Sequence, residues 1–215
     1  MSAGPGWTGA AGRPTRIVLA RHGQTALSVD RRYSGQGDPE LTDLGLAQAE
    51  RTARRLAALP DLAAVVSSPL RRCLGTAERA AEAAGVPLIV DDDLIETDFG
   101  RWEGLTFREA AEQDPDTHSR WLGDTSVPPP GGESFEVVRE RVERGLRRIV
   151  SERPGEVVAV VSHVTPIKLA IRAGLGAGDE LLFRLHLDLA SVSDVRFYSD
   201  GPTSVHLVND TSHLD

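Results

Sequence analysis

Arg16-Ile-Val-Leu-Ala20 is a short apolar run followed at once by Arg21-His22-Gly23. Four or five apolar residues closed by polar ones and a glycine read as a buried strand that ends in a loop. The pattern recurs. Ala63–Val66 runs into Ser67-Ser68-Pro69-Leu70-Arg71-Arg72, and Pro87–Val90 leads through Asp91-Asp92-Asp93 to Glu96. Val157–Val161, the most apolar segment, ends on Ser162-His163. Between these runs the apolar spacing turns helical. Leu44–Leu59 follows Thr42-Asp43 and stops at Pro60, and Leu70–Ala84 stops at Gly85. Phe107–Gln113, a segment from Phe135 to about Glu152 behind a Ser134 N-cap, and Pro166–Ala173 complete the helical set. Strands alternating with helices predict one α/β domain, a three-layer α/β/α sandwich around a mainly parallel sheet. Leu185–Val208 alternates around Asp200-Gly201, a hairpin signal that predicts antiparallel C-terminal edge strands.

The domain is expected over 16–215. The Gly/Ala/Pro-rich start, 1–15, reads as a flexible tail or linker remnant with Trp7 exposed in it. No apolar run reaches the roughly 18–20 residues needed to span a bilayer. The first residues lack a basic stretch followed by an apolar one, so no secretory signal and no membrane partner are expected. Cys73 is the single cysteine, which excludes an internal disulfide and fits a cytoplasmic location. The net charge of -8 argues against nonspecific nucleic-acid binding, which depends on neutralising phosphates. An anion can still bind where cations converge.

In an open α/β sheet, sites form beyond the carboxyl ends of the strands. Here those ends carry Arg21 and His22, Arg71 and Arg72, Glu96, and His163. That collection is an anion pocket with a candidate nucleophile and a candidate proton donor. Arg71-Arg72 at a helix start opposes the helix dipole, which suggests a separate purpose for the pair. The histidines show neither His-x3–5-His nor Cys-x2-Cys spacing, so no metal is expected. Asp91-Asp92-Asp93 reads as a solvated turn, His118 and His213 as solvent-facing loop residues, and His186 and His206 as strand residues. Gly-x4-Gly-Lys and Gly-x-Ser-x-Gly are absent, and the glycine clusters lack a dinucleotide-site setting.

The ordered motifs resemble those of the histidine phosphatase, or phosphoglycerate-mutase-like, superfamily. They are Arg21-His-Gly-Gln-Thr25, Gly35-Gln-Gly-Asp-Pro-Glu-Leu-Thr42, Ser67-Ser-Pro-Leu-Arg-Arg72, Glu96-Thr-Asp-Phe-Gly100 with Trp102-Glu-Gly104, Gly131-Gly-Glu-Ser134 and Val161-Ser-His163. The segment Ser162–Lys168, Leu185–Ala190 and the ending Val208–Leu214 further resemble the acid phosphatase, α-ribazole-phosphatase-like domain of actinobacterial bifunctional proteins that begin with ribonuclease H. The resemblance implies a phosphoglycerate-mutase-like fold and a phosphohistidine on His22. It also implies a phosphate clamp of Arg21, Arg72 and His163, with Glu96 as proton donor. Thr25, Ser28, Ser34, Gly35 and Val164 fall at substrate-contacting positions, with Ser28 standing where many relatives carry an asparagine.

Such chemistry needs no cofactor and no metal. An in-line imidazole attacks, arginines neutralise the phosphoryl oxygens, and a carboxylic acid protonates the leaving alkoxide. A protonated His163 would add a donor, and activity is expected to favour mildly acidic pH. The implied substrate is a small phosphomonoester: α-ribazole phosphate, a sugar phosphate or a nucleotide. Two rival readings are a phosphoglycerate-type mutase and a noncatalytic phospho-ligand module. The short stretch from Glu96 to His163 favours hydrolysis over the mutase. The sequence leaves a homodimer and a fusion to ribonuclease H in a longer parent chain open. Loops at Arg31-Arg32-Tyr33, Phe99–Phe107 and Trp121–Phe135 are expected to set specificity, with Trp102 and Trp121 as walls.

Overall fold

A computed structural model describes residues 12–215. The tail reading, Trp7 included, falls outside the described residues up to Ala11, and the first strand already begins at Thr15. The strands are β1 (Thr15–Arg21), β2 (Leu62–Ser67), β3 (Leu88–Val90), β4 (Val157–Ser162), β5 (Val192–Phe197) and β6 (Thr203–Asp210). The helices are α1 (Ala26–Val29), α2 (Asp43–Ala57), α3 (Arg71–Ala84), α4 (Phe107–Gln113), α5 (Pro115–Trp121), α6 (Phe135–Glu152), α7 (Val164–Leu175) and α8 (Leu181–Arg184).

The strands form one sheet in the order β3-β2-β4-β1-β5-β6. The first four run parallel, while β5 and β6 join antiparallel at one side, as the alternation predicts. Register aligns Arg21 with Ser162, Ser67 with Val161, and Val90 with Ser67. The four parallel strands therefore end on one edge, and whatever follows each strand is delivered there.

Alternate strand residues feed two cores. Val18, Ala20, Val65, Ala159 and Val161 pack under α2 and α3 with Ala53, Leu56, Ala77 and Ala80. Ile17, Leu19, Val66, Val158 and Val160 pack on the other face with Val138, Val142, Leu146 and Leu169 of α6 and α7. Both faces of the central strands are covered, which explains why they read as continuous apolar runs. Helix boundaries follow local chemistry. Thr42 caps α2 by accepting from Gly45 N, Ser134 caps α6 by accepting from Val137 N, and Gly85 ends α3 at φ 66°.

Several expectations change. Leu185–Ala190 is loop rather than strand, so His186 lies in a loop, while His206 is in β6. His118 lies in α5, buried, with Nε2 2.9 Å from the Tyr33 hydroxyl. His213 is half-buried against Thr52. Asp91 is buried, and Asp91 and Asp93 pair with Arg148 and Arg144 of α6 rather than forming a solvated turn. For His118, His213 and the aspartates, a side chain distant in sequence supplies the partner that the local pattern lacks.

Candidate active site

β1 carries Arg21 and His22 to the common edge, where His22 is pinned on both sides. Its N–H donates to Ser162 O at the end of β4, and its carbonyl accepts from Ala190 N. The following turn presses on α2: a Cβ at Gly23 would lie 2.6 Å from Gly45 O, so the close approach requires a glycine. The His22 ring is 5% exposed. Its Nδ1 lies 2.8 Å from Gly23 O. A carbonyl only accepts, so Nδ1 holds the ring proton and Nε2 presents the lone pair. Burial, then Arg21 and Arg72, hold the His22 pKa well below the ordinary histidine value. The ring is thus a neutral, oriented base.

Arg21 places Nη1 on Leu187 O at 2.7 Å, and burial pushes its pKa down to about 10, still a cation at neutral pH. Arg72, fully buried, donates Nη1 to Gly37 O at 2.8 Å and Nη2 to Gly35 O at 2.7 Å. The Nε of each arginine is buried without a hydrogen-bond partner among the described residues. An orphaned charged donor is costly unless an anion completes it. Arg71, by contrast, is exposed and pairs with Asp38 and Glu40. The tandem arginines divide: one points inward, the other is a surface ion pair.

His163 is fully buried, with its ring centroid 5.2 Å from that of His22. Its Nε2 is 2.7 Å from Ser68 Oγ, and Cys73 Sγ packs at 3.4 Å. Burial and then Arg72 hold its pKa well below the ordinary value, which favours the neutral ring over the protonated one that the sequence reading held as a condition. Glu96 is 5% exposed, with Oε1 accepting from Thr97 N at 2.8 Å and Oε2 from Thr165 N at 3.4 Å near the start of α7. Its backbone is held by Arg141, which donates to the carbonyls of Asp93, Ile95 and Glu96 and pairs with Glu133.

An open cavity of about 1370 Å³ lies above this edge. Arg21, His22, Glu96, Thr25, Ser28, Ser34 and Val164 line it, while Arg72 and His163 are fully buried beside it, outside the lining. Ser28 Oγ donates to Thr25 O and accepts from Thr25 N, so the hydroxyl at the asparagine position is committed to capping α1. Gly35 stands apart from the cavity. Its N–H is held by both Glu103 oxygens and its carbonyl by Arg72, so it positions the arginine. Trp121 lines the cavity, but Trp102 is core, its Nε1 donating to Asp114 at 2.9 Å.

Sequence reasoning missed Ser68, Glu103, Arg141 and the cavity-lining Lys168, whose Nζ donates to Leu182 O at 2.7 Å. Lys168 had a signal: it lies one helical turn after Val164, on the same face. The others act through partners remote in sequence.

Parallel-strand ends that deliver two arginines, two histidines and a carboxyl define a histidine-centred anion site on an α/β sandwich. The sequence pattern of the histidine phosphatase superfamily (branch 1) matches residues 17–211, and the chain belongs to that family. It is 59% identical over 210 residues to the "Bifunctional protein Rv2228c" of Mycobacterium tuberculosis, covering 98% of this chain and 58% of that protein. The chain thus spans little more than half the length of that relative. Phosphoserine phosphatase 1 of Hydrogenobacter thermophilus is 32% identical over 200 residues, covering 93% of this chain and 94% of that one. The solved structure of mycobacterial glucosyl-3-phosphoglycerate phosphatase Rv2419c superposes with a TM-score of 0.84 at 30% identity, covering 93% of this chain and all of that one.

Proposed function

We propose that this chain is a metal-independent phosphomonoesterase of acid phosphatase type that works through a phosphohistidine on His22. The observation that carries the reading is the Nδ1 contact of His22 with Gly23 O, which leaves a neutral Nε2 lone pair beside two arginines with orphaned Nε atoms. The Nε2 lone pair attacks phosphorus in line, and the P–O ester bond breaks. Arg21 and Arg72 meet the phosphoryl oxygens. The N–H groups that open α7 at Val164 add dipoles of the same sign. The Glu96 carboxyl gives its proton to the departing alkoxide. As carboxylate it then takes a proton from the water that cleaves the N–P bond, releasing phosphate and restoring the acid. His163, neutral, adds one ring N–H, with its Nε2 hydrogen-bonded to the Ser68 hydroxyl.

The names of the relatives support a small phosphorylated metabolite as substrate. The name "bifunctional" and the 58% coverage support fusion to a second activity in a longer parent chain. No described helix is long and apolar enough to cross a membrane. A cytoplasmic location remains part of this proposal, as does a homodimer.

The test is release of inorganic phosphate from a panel of phosphomonoesters with chelator present, for wild type and His22→Ala. Chelator-resistant release that vanishes in the variant is expected. Release that needs a metal, survives in the variant, or gives way to phosphoglycerate isomer interconversion would overturn the reading.

A further inference from the structure

Beyond the phosphate end, the cavity wall is a chain of aromatic rings. Phe107 stacks on Tyr33 at 4.6 Å between centroids, and Tyr33 meets Phe99 at 4.8 Å and Trp121 at 5.7 Å. Trp121 meets Phe135 at 5.1 Å, and Phe135 meets Phe183 at 6.0 Å. All six rings line the cavity that holds His22 and Glu96. Four of them come from the segments the sequence marks as specificity loops, between Tyr33 and Trp121, and Phe135 closes the third of these segments. Two apolar residues of this wall stay open to solvent at the mouth: Phe107 is 53% exposed and Leu122 47%. Exposed large apolar side chains that face one concave site are a standing cost, relieved when a ligand covers them.

The polar groups of the wall are mostly engaged. Arg32 is held by Glu109 and Gly104 O, Lys168 by Leu182 O, and the Tyr33 hydroxyl by His118. Two are not: the Trp121 indole N–H and the Ser34 hydroxyl are buried without a partner among the described residues. A sugar or amino-acid leaving group needs a hydrogen-bond partner for each buried polar atom, and this wall supplies few.

We infer that the alcohol released by this enzyme carries a planar aromatic ring that seats against Phe107 and Leu122, backed by the buried rings of Tyr33, Trp121 and Phe135. The inference rests on the phosphatase reading and narrows its substrate class. The Trp121 N–H suits a ring or linker bearing one acceptor atom. Rings offset against rings gain both buried area and quadrupole contacts.

The test compares kcat/KM for 2-naphthylmethyl phosphate, benzyl phosphate, glycerol 3-phosphate and phosphoserine. All four are alkyl esters, so an aryl leaving group does not confound the comparison. The naphthylmethyl ester is expected to exceed glycerol phosphate by roughly a hundredfold, from the area a fused ring buries. Phe107→Ala and, separately, Leu122→Ala should each narrow that ratio, the first by roughly tenfold. Both residues are half-exposed, so folding should survive either change. Equal kcat/KM across the panel, a preference for phosphoserine, or a ratio unmoved by both variants would overturn the inference and leave the phosphatase reading standing. Hydrolysis of none of the four by wild type would overturn the phosphatase reading, and the inference with it.

Discussion

The phosphate end of the cavity is floored by side chains that leave β1, β2 and β4 within a residue or a few of the strand ends, on backbone locked into the sheet register. The opposite end is walled by rings from loops, short helices and the start of α6, brought together over about 150 residues of sequence, from Tyr33 to Phe183. The first is rigid and charged; the second is assembled from pieces with little regular hydrogen bonding and is apolar. On the proposed reading, separate elements control reaction and selectivity. Substitutions at the first end should change rate for every substrate, and substitutions at the second should change the order of substrates.

His22→Ala should break the phosphate end outright, lowering kcat by at least roughly a thousandfold for all esters alike, measured by phosphate release. Arg72→Ala should come next, at about a hundredfold to a thousandfold, because it removes a charge matched to the transition state. Arg72→Lys should recover little, since the carbonyls of Gly35 and Gly37 fit a planar fork. Glu96→Gln should cost about a hundredfold or more with alkyl esters and much less with an aryl ester such as 4-nitrophenyl phosphate, whose leaving group needs no proton. Equal losses on both esters would remove Glu96 from the acid's place. Ser68→Ala should lower kcat by about tenfold through the His163 ring. KM for the aromatic and the polar esters should shift together, which sharpens the division between the two ends.

The pH profile carries the smallest effects. Because His22 titrates well below the ordinary histidine value, the nucleophile stays neutral at pH 6, so kcat/KM should lose nothing through His22 from pH 7 to 6. Stability should run the other way. His22 and His163 resist protonation in the native state, while the unfolded chain takes up those protons below about pH 6.5. Stability is therefore full above that pH and declines below it. Urea midpoints at pH 7 and 5.5 would check this.

The same division governs what the sequence discloses. Arg21, His22, Arg72 and His163 could be read because each lies within a few residues of the end of an apolar run, and strand ends converge by rule. The mainly parallel sheet and the antiparallel edge were legible too, since they follow from alternation and one turn; the strand order was not. Long-range pairs were not. His118 looks like a loop histidine until Tyr33, 85 residues earlier, meets its ring. The Asp91–Asp93 turn looks solvated until α6, more than 50 residues later, supplies Arg144 and Arg148. Glu133 and Arg141 steady Glu96 from a loop and a helix whose local patterns speak only of a turn and an amphipathic face.

The central claim is a covalent phosphate on Nε2 of His22. Rapid acid-free quenching during turnover of a phosphomonoester with chelator present, followed by peptide mass spectrometry, tests it directly. The account predicts an acid-labile, alkali-stable phosphate on the peptide bearing His22, absent in His22→Ala. Turnover with no label, or label on another residue, would contradict it.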